Sequence, residues 1–299
     1  MDGISKKLIV VAGPTASGKT PLAIRLARHF CTEIISADSR QFYREMNIGT
    51  AKPSEEELAV VRHHFINSHS IHDVYDAAQF GDEALAVVNT LFKQYDSVVV
   101  CGGSGLYLKA LLEGFDEIPD VPDEIRGELT DQYAARGLAW LQEKVKAVDP
   151  QSFETLDIHN PQRLLRALEV KVATGKSIRE FQRKQKRVLP FQVIKIGLEL
   201  SREVLYRRID NRMDSMIEAG LFDEARALYP FRHCNALQTV GYQEIFDFID
   251  GKYTWEESVR LLKRNSRRYA KRQLTWFKRD EEIHWVNPQD WEGMIRLIN

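Results

Sequence analysis

Hydrophobic positions along the chain follow two different rhythms. Residues 8–12 form an unbroken apolar run that closes on Gly13-Pro14, the pattern of a parallel strand buried on both faces. Leu22, Ala23, Leu26, Ala27 and Phe30 then recur at helical spacing over 21–30. Short apolar runs at 33–37 and 97–101 predict two more strands, the second fed by a helix over 77–94. Strand and helix alternating in this way predict an α/β fold, a parallel sheet with helices on both faces.

After Gly114 the alternation stops. The turn-rich stretch Ile118-Pro119-Asp120-Val121-Pro122 marks a boundary and a candidate hinge, and only helices are expected from there to Pro190. Asn160 is the N-cap of one helix, with Pro161 at its first position and Gly175 at its end. Ser177 and Glu180 form a capping-box pair for the next. Alternation returns over 192–200 as a strand, and Ser201 caps a helix running to Gly220. The pattern predicts a core of residues 1–117 and 190–299, interrupted by a helical insertion domain at 118–189.

The chain has 299 residues, 43% of them hydrophobic and 28% charged, which excludes disordered and collagen-like classes. Its apolar runs fall far short of the roughly 20 residues needed to cross a bilayer, and the first lacks signal-peptide character. Cys31, Cys101 and Cys234 are scattered with no CxxC pair, which excludes a disulfide framework and a zinc finger. A soluble, cytoplasmic protein is expected. Net charge is −1, but residues 258–279 hold nine Lys/Arg and no acid. An otherwise acidic body with one basic segment points to a localised polyanion site.

The strongest chemical signal is Gly13-Pro14-Thr15-Ala16-Ser17-Gly18-Lys19-Thr20, a GxxxxGK[ST] phosphate loop (P-loop) between a predicted strand and a predicted helix. Backbone N–H groups and the helix N-terminus would hold a di- or triphosphate, Lys19 would add charge, and Thr20 could ligate Mg²⁺. An ordinary ATPase is disfavoured. The strand at 97–101 runs into Gly102-Gly103-Ser104-Gly105, where a metal-binding Asp would be needed. Asp38 instead follows the strand at 33–37, as a metal ligand, a base or a turn-capping residue. The glycines allow close substrate approach or simply a tight turn, with the Ser104 hydroxyl as a candidate hydrogen-bonding group.

In the segment 260–279, Arg260, Lys263, Arg264, Arg267, Arg268, Lys271 and Arg272 cover about half of a helix, with Leu262, Tyr269, Ala270, Trp276 and Phe277 expected on the core. Such like charges repel unless an anion neutralises them, and nucleic-acid backbone is the expected anion. In the insertion, Gln162, Arg163 and Arg166 share one helical face, opposite Leu164, Leu165, Leu168 and Val172. Lys176, Arg179, Arg183, Lys184, Lys186 and Arg187 continue the basic theme. His63, His64, His69 and His72 match no zinc spacing, so structural or substrate-contact roles are expected.

Together GPTASGKT, ISADSRQFY, NIGTAKP, the His63-His64 doublet, CGGSGLYLKALLEG, NPQRLLRALEV, Arg212-Met213 before MIEAGLFDEA, TVGY and RRYAKRQLTWFKR resemble, in order and spacing, the bacterial type of the tRNA dimethylallyltransferase (isopentenyltransferase) family. The resemblance covers nearly the whole chain. It implies transfer of a dimethylallyl group from its diphosphate to the N6 amine of the adenosine 3′-adjacent to the anticodon, in tRNAs reading codons that begin with U. By that resemblance, Gly13 to Thr20 with Arg212 hold the diphosphate, Thr20 with Mg²⁺. Asp38 is the general base, and Ser104 is a catalytic hydroxyl where the family more often carries Thr. Asp38, Ser39, Arg40 and Gln41, with Gln162, Arg163, Leu164, Leu165 and Arg166, match tRNA-contact segments, to which the charge pattern adds Arg268 and Arg272. The segment 238–242 matches a further contact region in part, with Gln238 where some members carry Arg. The implied partners are the tRNA anticodon arm and dimethylallyl diphosphate, with Mg²⁺ as cofactor, no membrane and a monomeric state.

Overall fold

The computed structural model describes residues 6–182 and 186–299. Packing divides the chain into a sheet unit, Met1–Leu112 with Val188–Asn299, and a helical unit, Glu113–Arg187. The first part of the sheet unit runs β1 (Lys7–Ala12), α1 (Lys19–His29), β2 (Ile34–Ser36), α2 (Glu55–Val60), β3 (His63–His64), α3 (Ala77–Leu91), β4 (Ser97–Gly102) and α4 (Gly105–Glu113). The helical unit follows with α5 (Asp123–Val148), α6 (Pro150–Thr155), α7 (Pro161–Thr174) and α8 (Ile178–Phe181). The sheet unit then resumes with β5 (Gln192–Leu198), α9 (Arg202–Glu218), α10 (Leu221–Leu228), α11 (Gln243–Ile249), α12 (Trp255–Phe277), β6 (Ile283–Val286) and α13 (Trp291–Ile298).

The six strands are ordered β3-β2-β4-β1-β5-β6, and every pair is parallel. The apolar runs of the central strands have a direct cause. Leu8, Val10 and Ala12 of β1 face one core, whereas Ile9 and Val11 face the other. In β4, Val98 and Val100 likewise oppose Val99. Side chains alternate across the sheet, so a strand covered on both faces must be apolar at every position. Strands β3 and β6, with two and four residues, were not anticipated from the sequence. A two-residue strand, His-His, carries no periodicity to read.

The helical unit has its own cores, one of Leu129, Leu141, Val145, Leu164 and Leu168 and one of Val121, Ala167, Val170 and Ile178. The expected caps are present. Asn160 accepts from the Arg163 N–H, Gly175 adopts the left-handed conformation, and Ser177 and Glu180 close a capping box. Val172, expected on the apolar face of α7, is 47% exposed. It lies in the last turn of α7, two residues beyond the end of the face that packs. No strand occurs among the described residues of this unit, and Arg183 and Lys184 of the basic theme lie outside them. Among the described residues, no helix is long and apolar enough to cross a membrane.

Candidate active site

The sheet unit carries a cleft at the carboxyl ends of β1, β2 and β4, where open α/β sheets place their ligands. Its floor is the P-loop. Gly13 (φ 145°) and Gly18 (φ 97°) adopt backbone conformations that side chains disfavour, and Gly18 is the N-cap of α1. The loop is stitched to itself through the Pro14 carbonyl, which accepts from Ser17 Oγ at 2.9 Å and Lys19 Nζ at 2.5 Å. Burial lowers the Lys19 ammonium to about 8, with Cys101 and Asp38 opposing the shift and Arg212 adding to it. Thr15, Ala16, Lys19 and Thr20 line the cleft, whereas the Ser17 side chain is buried in the loop.

Two arginines one turn apart on α9 reach the loop. Arg212 donates to Thr15 Oγ1 at 3.4 Å and to the Ala51 carbonyl at 3.2 Å, and burial lowers its pKa from the ordinary value. Arg208 donates to the Ser17 carbonyl at 3.2 Å. Its place one helical turn before Arg212 was a readable signal that the sequence analysis missed.

Asp38 lies in the same cleft, past the end of β2. Its Oδ1 accepts from the Arg40 N–H at 3.0 Å, an Asx turn that orients the carboxylate and leaves Oδ2 for another donor. Ser104 Oγ accepts from the Ser39 N–H at 2.9 Å and donates to Ser39 Oγ at 3.1 Å. In this state Ser104 therefore holds the turn that carries Asp38. Gly102 is required for that closeness, since a Cβ there would lie 2.1 Å from the Ala37 carbonyl oxygen. Gln41 donates to the Thr50 and Ala51 carbonyls at 3.3 and 3.1 Å. Arg40 and Gln41 also line the cleft.

Helix α12 contributes more than its charge. Ser266, Tyr269 and Gln273 face the cleft. Gln273, 8% exposed, receives the Thr15 N–H on Oε1 at 2.9 Å and donates from Nε2 to the Gly103 carbonyl at 2.8 Å. It is a strut between the loop after β1 and the loop after β4. Its signal in the sequence was an uncharged polar residue sharing the apolar face with Leu262, about 20° away at 100° per residue. Tyr269, expected on the core, lines the cleft, and burial raises its hydroxyl to about 12.

The seven-cation stripe is not uniform. Lys263 pairs with Asp214 at 2.6 Å, Arg267 with Asp210 at 2.5 Å, and Arg260 with Glu257 at 2.6 Å. Those three are neutralised from within, contrary to the expectation that an external anion must do so: α9 presents Asp210 and Asp214 across the helix contact, and Glu257 lies on α12 itself, three residues before Arg260. Arg268, Lys271 and Arg272 have no acidic partner among the described residues, and Arg272 lies over the Tyr269 ring at 5.6 Å. Trp276, expected on the core, is 39% exposed and rests on Gly105, where a Cβ would lie 2.1 Å from Nε1.

The far wall of the cleft is apolar, formed by Pro53, Ile209, Met213, Met216, Leu221 and Val240. In the helical unit, Asn160, Gln162, Arg163, Arg166, Arg179 and Gln182 line a separate hollow. Leu164 is fully buried and Leu165 packs against the same core, so these two support the face rather than form it. All four histidines make contacts within the protein, and His63 also lines the cleft. His63 contacts the Val61 carbonyl, His64 pairs with Glu33 at 2.6 Å, His69 stacks on Tyr75, and His72 meets the edge of Phe231.

The IPP transferase family model matches residues 41–280. The chain belongs to the IPP transferase family. It is 52% identical over 288 residues to a tRNA dimethylallyltransferase of Cytophaga hutchinsonii, covering 96% of this chain and 95% of that protein. It is 50% identical over 282 residues to one of Christiangramia forsetii, covering 94% and 93%. Among solved structures, the full-length tRNA isopentenylpyrophosphate transferase of Bacillus halodurans is similar with TM-score 0.70 and 37% identity, covering 97% of this chain and 93% of that one. A eukaryotic dimethylallyltransferase acting on tRNA is similar with TM-score 0.78 and 26% identity, covering 96% and 75%. Membership of the IPP transferase family makes the chain a transferase.

Proposed function

We propose that this chain transfers a dimethylallyl group from dimethylallyl diphosphate to N6 of the adenosine 3′-adjacent to the anticodon, in tRNAs that read codons beginning with U. It acts as a cytoplasmic monomer and releases diphosphate. The observation that carries this reading is one cleft with three chemistries: a cationic phosphate loop, a carboxylate, and an apolar wall. The cleft is about 150 Å³. Its apolar lining residues offer a non-polar surface of the kind a five-carbon prenyl group requires, beside the loop that would hold its diphosphate.

In the transfer, the amine nitrogen forms a bond to the allylic carbon as the carbon–oxygen bond to diphosphate breaks. Negative charge develops on the leaving oxygens. Lys19, Arg212 and the α1 N-terminus lie at the phosphate loop and would stabilise that charge, with Lys19 giving up its bond to the Pro14 carbonyl to do so. Asp38 receives the hydrogen bond, and then the proton, from the amine. An adenine amine is a weak nucleophile, so orientation by the fixed Asx turn contributes alongside proton removal. Thr20 and Asp38 supply hard oxygen donors suited to Mg²⁺, while no group of three His, Cys, Asp or Glu side chains converges among the described residues. Thr20 would hold the ion together with phosphate oxygens and water, and the ion would supply further charge neutralisation. Arg268, Lys271 and Arg272 on α12, and Gln162, Arg163 and Arg166 in the helical unit, are the candidate tRNA contacts.

The test is transfer of labelled dimethylallyl from its diphosphate, with Mg²⁺, to tRNA bearing adenines beside the anticodon, with AMP as parallel acceptor. Label on tRNA alone is expected. Asp38→Ala should nearly abolish turnover while leaving tRNA affinity within a few fold. Label on AMP would move the activity to free nucleotides, and ATP hydrolysis without prenyl transfer would overturn the reading.

A further inference from the structure

A single carboxylate outside the reacting groups organises one wall of the cleft. Glu224, in the first turns of α10, accepts the N–H groups of Asn47 and Ile48 on Oε2 at 2.9 and 2.8 Å. Its Oε1 accepts the Gly49 N–H at 2.9 Å and the Tyr242 hydroxyl at 2.6 Å. Four donors on one carboxylate fill its acceptor sites. Tyr242 is completely buried, and its ring lies where a Cβ on Gly49 would be, 2.5 Å from Cζ. Backbone 47–49 is thus held by the carboxylate through its N–H groups and packed by the phenol at Gly49.

The consequence appears two residues on. Ala51 has φ 49°, a left-handed conformation that a residue with a Cβ adopts only when its surroundings impose it. That conformation turns the Ala51 carbonyl into the cleft, where it accepts from Arg212 and from Gln41. Gly49, Thr50 and Ala51 all line the cleft. We infer that Glu224 and Tyr242 are positioning residues: they fix loop 47–51 so that the Ala51 carbonyl aims the Arg212 guanidinium at the leaving diphosphate. The role rests on the dimethylallyl-transfer reading, yet it can be read from diphosphate binding alone.

The test is a mutant cycle in the full chain, scored by calorimetric binding of inorganic diphosphate with Mg²⁺ and by kcat and KM for transfer to tRNA. Glu224→Gln puts an amide donor where the carboxylate accepts, and should weaken diphosphate binding and raise KM for dimethylallyl diphosphate about tenfold. In an Arg212→Lys background, whose ammonium cannot span both Thr15 and Ala51, the same change should cost less than twofold. Asp223→Ala, one residue away on an exposed ion pair with Arg226, should leave both readouts unchanged. Should Glu224→Gln not fold, Tyr242→Phe, which removes one hydroxyl, is scored by the same cycle with a threefold loss expected. Equal losses with and without Arg212, or no loss at all, overturn the inference. If wild-type protein binds diphosphate and the cycle behaves as expected but no label reaches tRNA, the transfer reading fails and the positioning role stands.

Discussion

Gln273→Met is the most informative substitution in the sheet unit. It keeps the volume of the side chain and removes only its polar atoms, so cavity terms stay small. Gly103 is buried, and its carbonyl would lose the donor held at 2.8 Å. Thr15 is only half-buried, so water can replace part of what its N–H loses. Leaving a buried polar group unsatisfied costs about 1–3 kcal/mol, so the pair should cost roughly 2–4 kcal/mol. At about 2–4 °C per kcal/mol for a unit of this size, Tm should fall by about 4–16 °C. The affinity for inorganic diphosphate should fall as well, because Thr15 belongs to the phosphate loop. Calorimetric unfolding and diphosphate titration measure the two effects. A Tm within 1 °C of wild type, with unchanged diphosphate affinity, would refute the strut.

Other consequences follow from the same geometry. Lys19, lowered to about 8 by burial, is charged below that pH and neutral above it, so diphosphate affinity should be full at pH 7 and about tenfold weaker at pH 9. Lys19→Arg, whose guanidinium stays charged, should flatten this pH profile. Arg268→Ala or Arg272→Ala should reduce the slope of log affinity for tRNA against log salt by about 0.7–0.9 each. Arg267→Ala, already paired with Asp210, should leave that slope unchanged, and filter binding across a salt series separates the cases. Ser104→Ala removes the acceptor of the Ser39 N–H and should lower kcat several fold with tRNA affinity intact, whereas Ser104→Thr should retain turnover.

Much of this molecule is legible before any coordinates. The parallel sheet is written in the unbroken runs of β1 and β4, because a strand covered on both faces has no polar position to spare. The P-loop is contiguous, so its spacing alone announces it, and the caps at Asn160, Gly175 and Ser177 are local hydrogen-bond chemistry within four residues. Motif order was enough to indicate the family. What the sequence could not decide is where distant side chains meet. Glu224 on Asn47, Ile48 and Gly49, Gln273 between Thr15 and Gly103, and Arg212 on Ala51 join residues separated by between 161 and 258 positions. No periodicity encodes such pairs. The same holds for the basic stripe, whose Lys263 and Arg267 find Asp214 and Asp210 only once α9 and α12 pack together. Local pattern reports how each residue conforms to its own helix or strand, whereas a site depends on which elements the burial of apolar faces brings side by side.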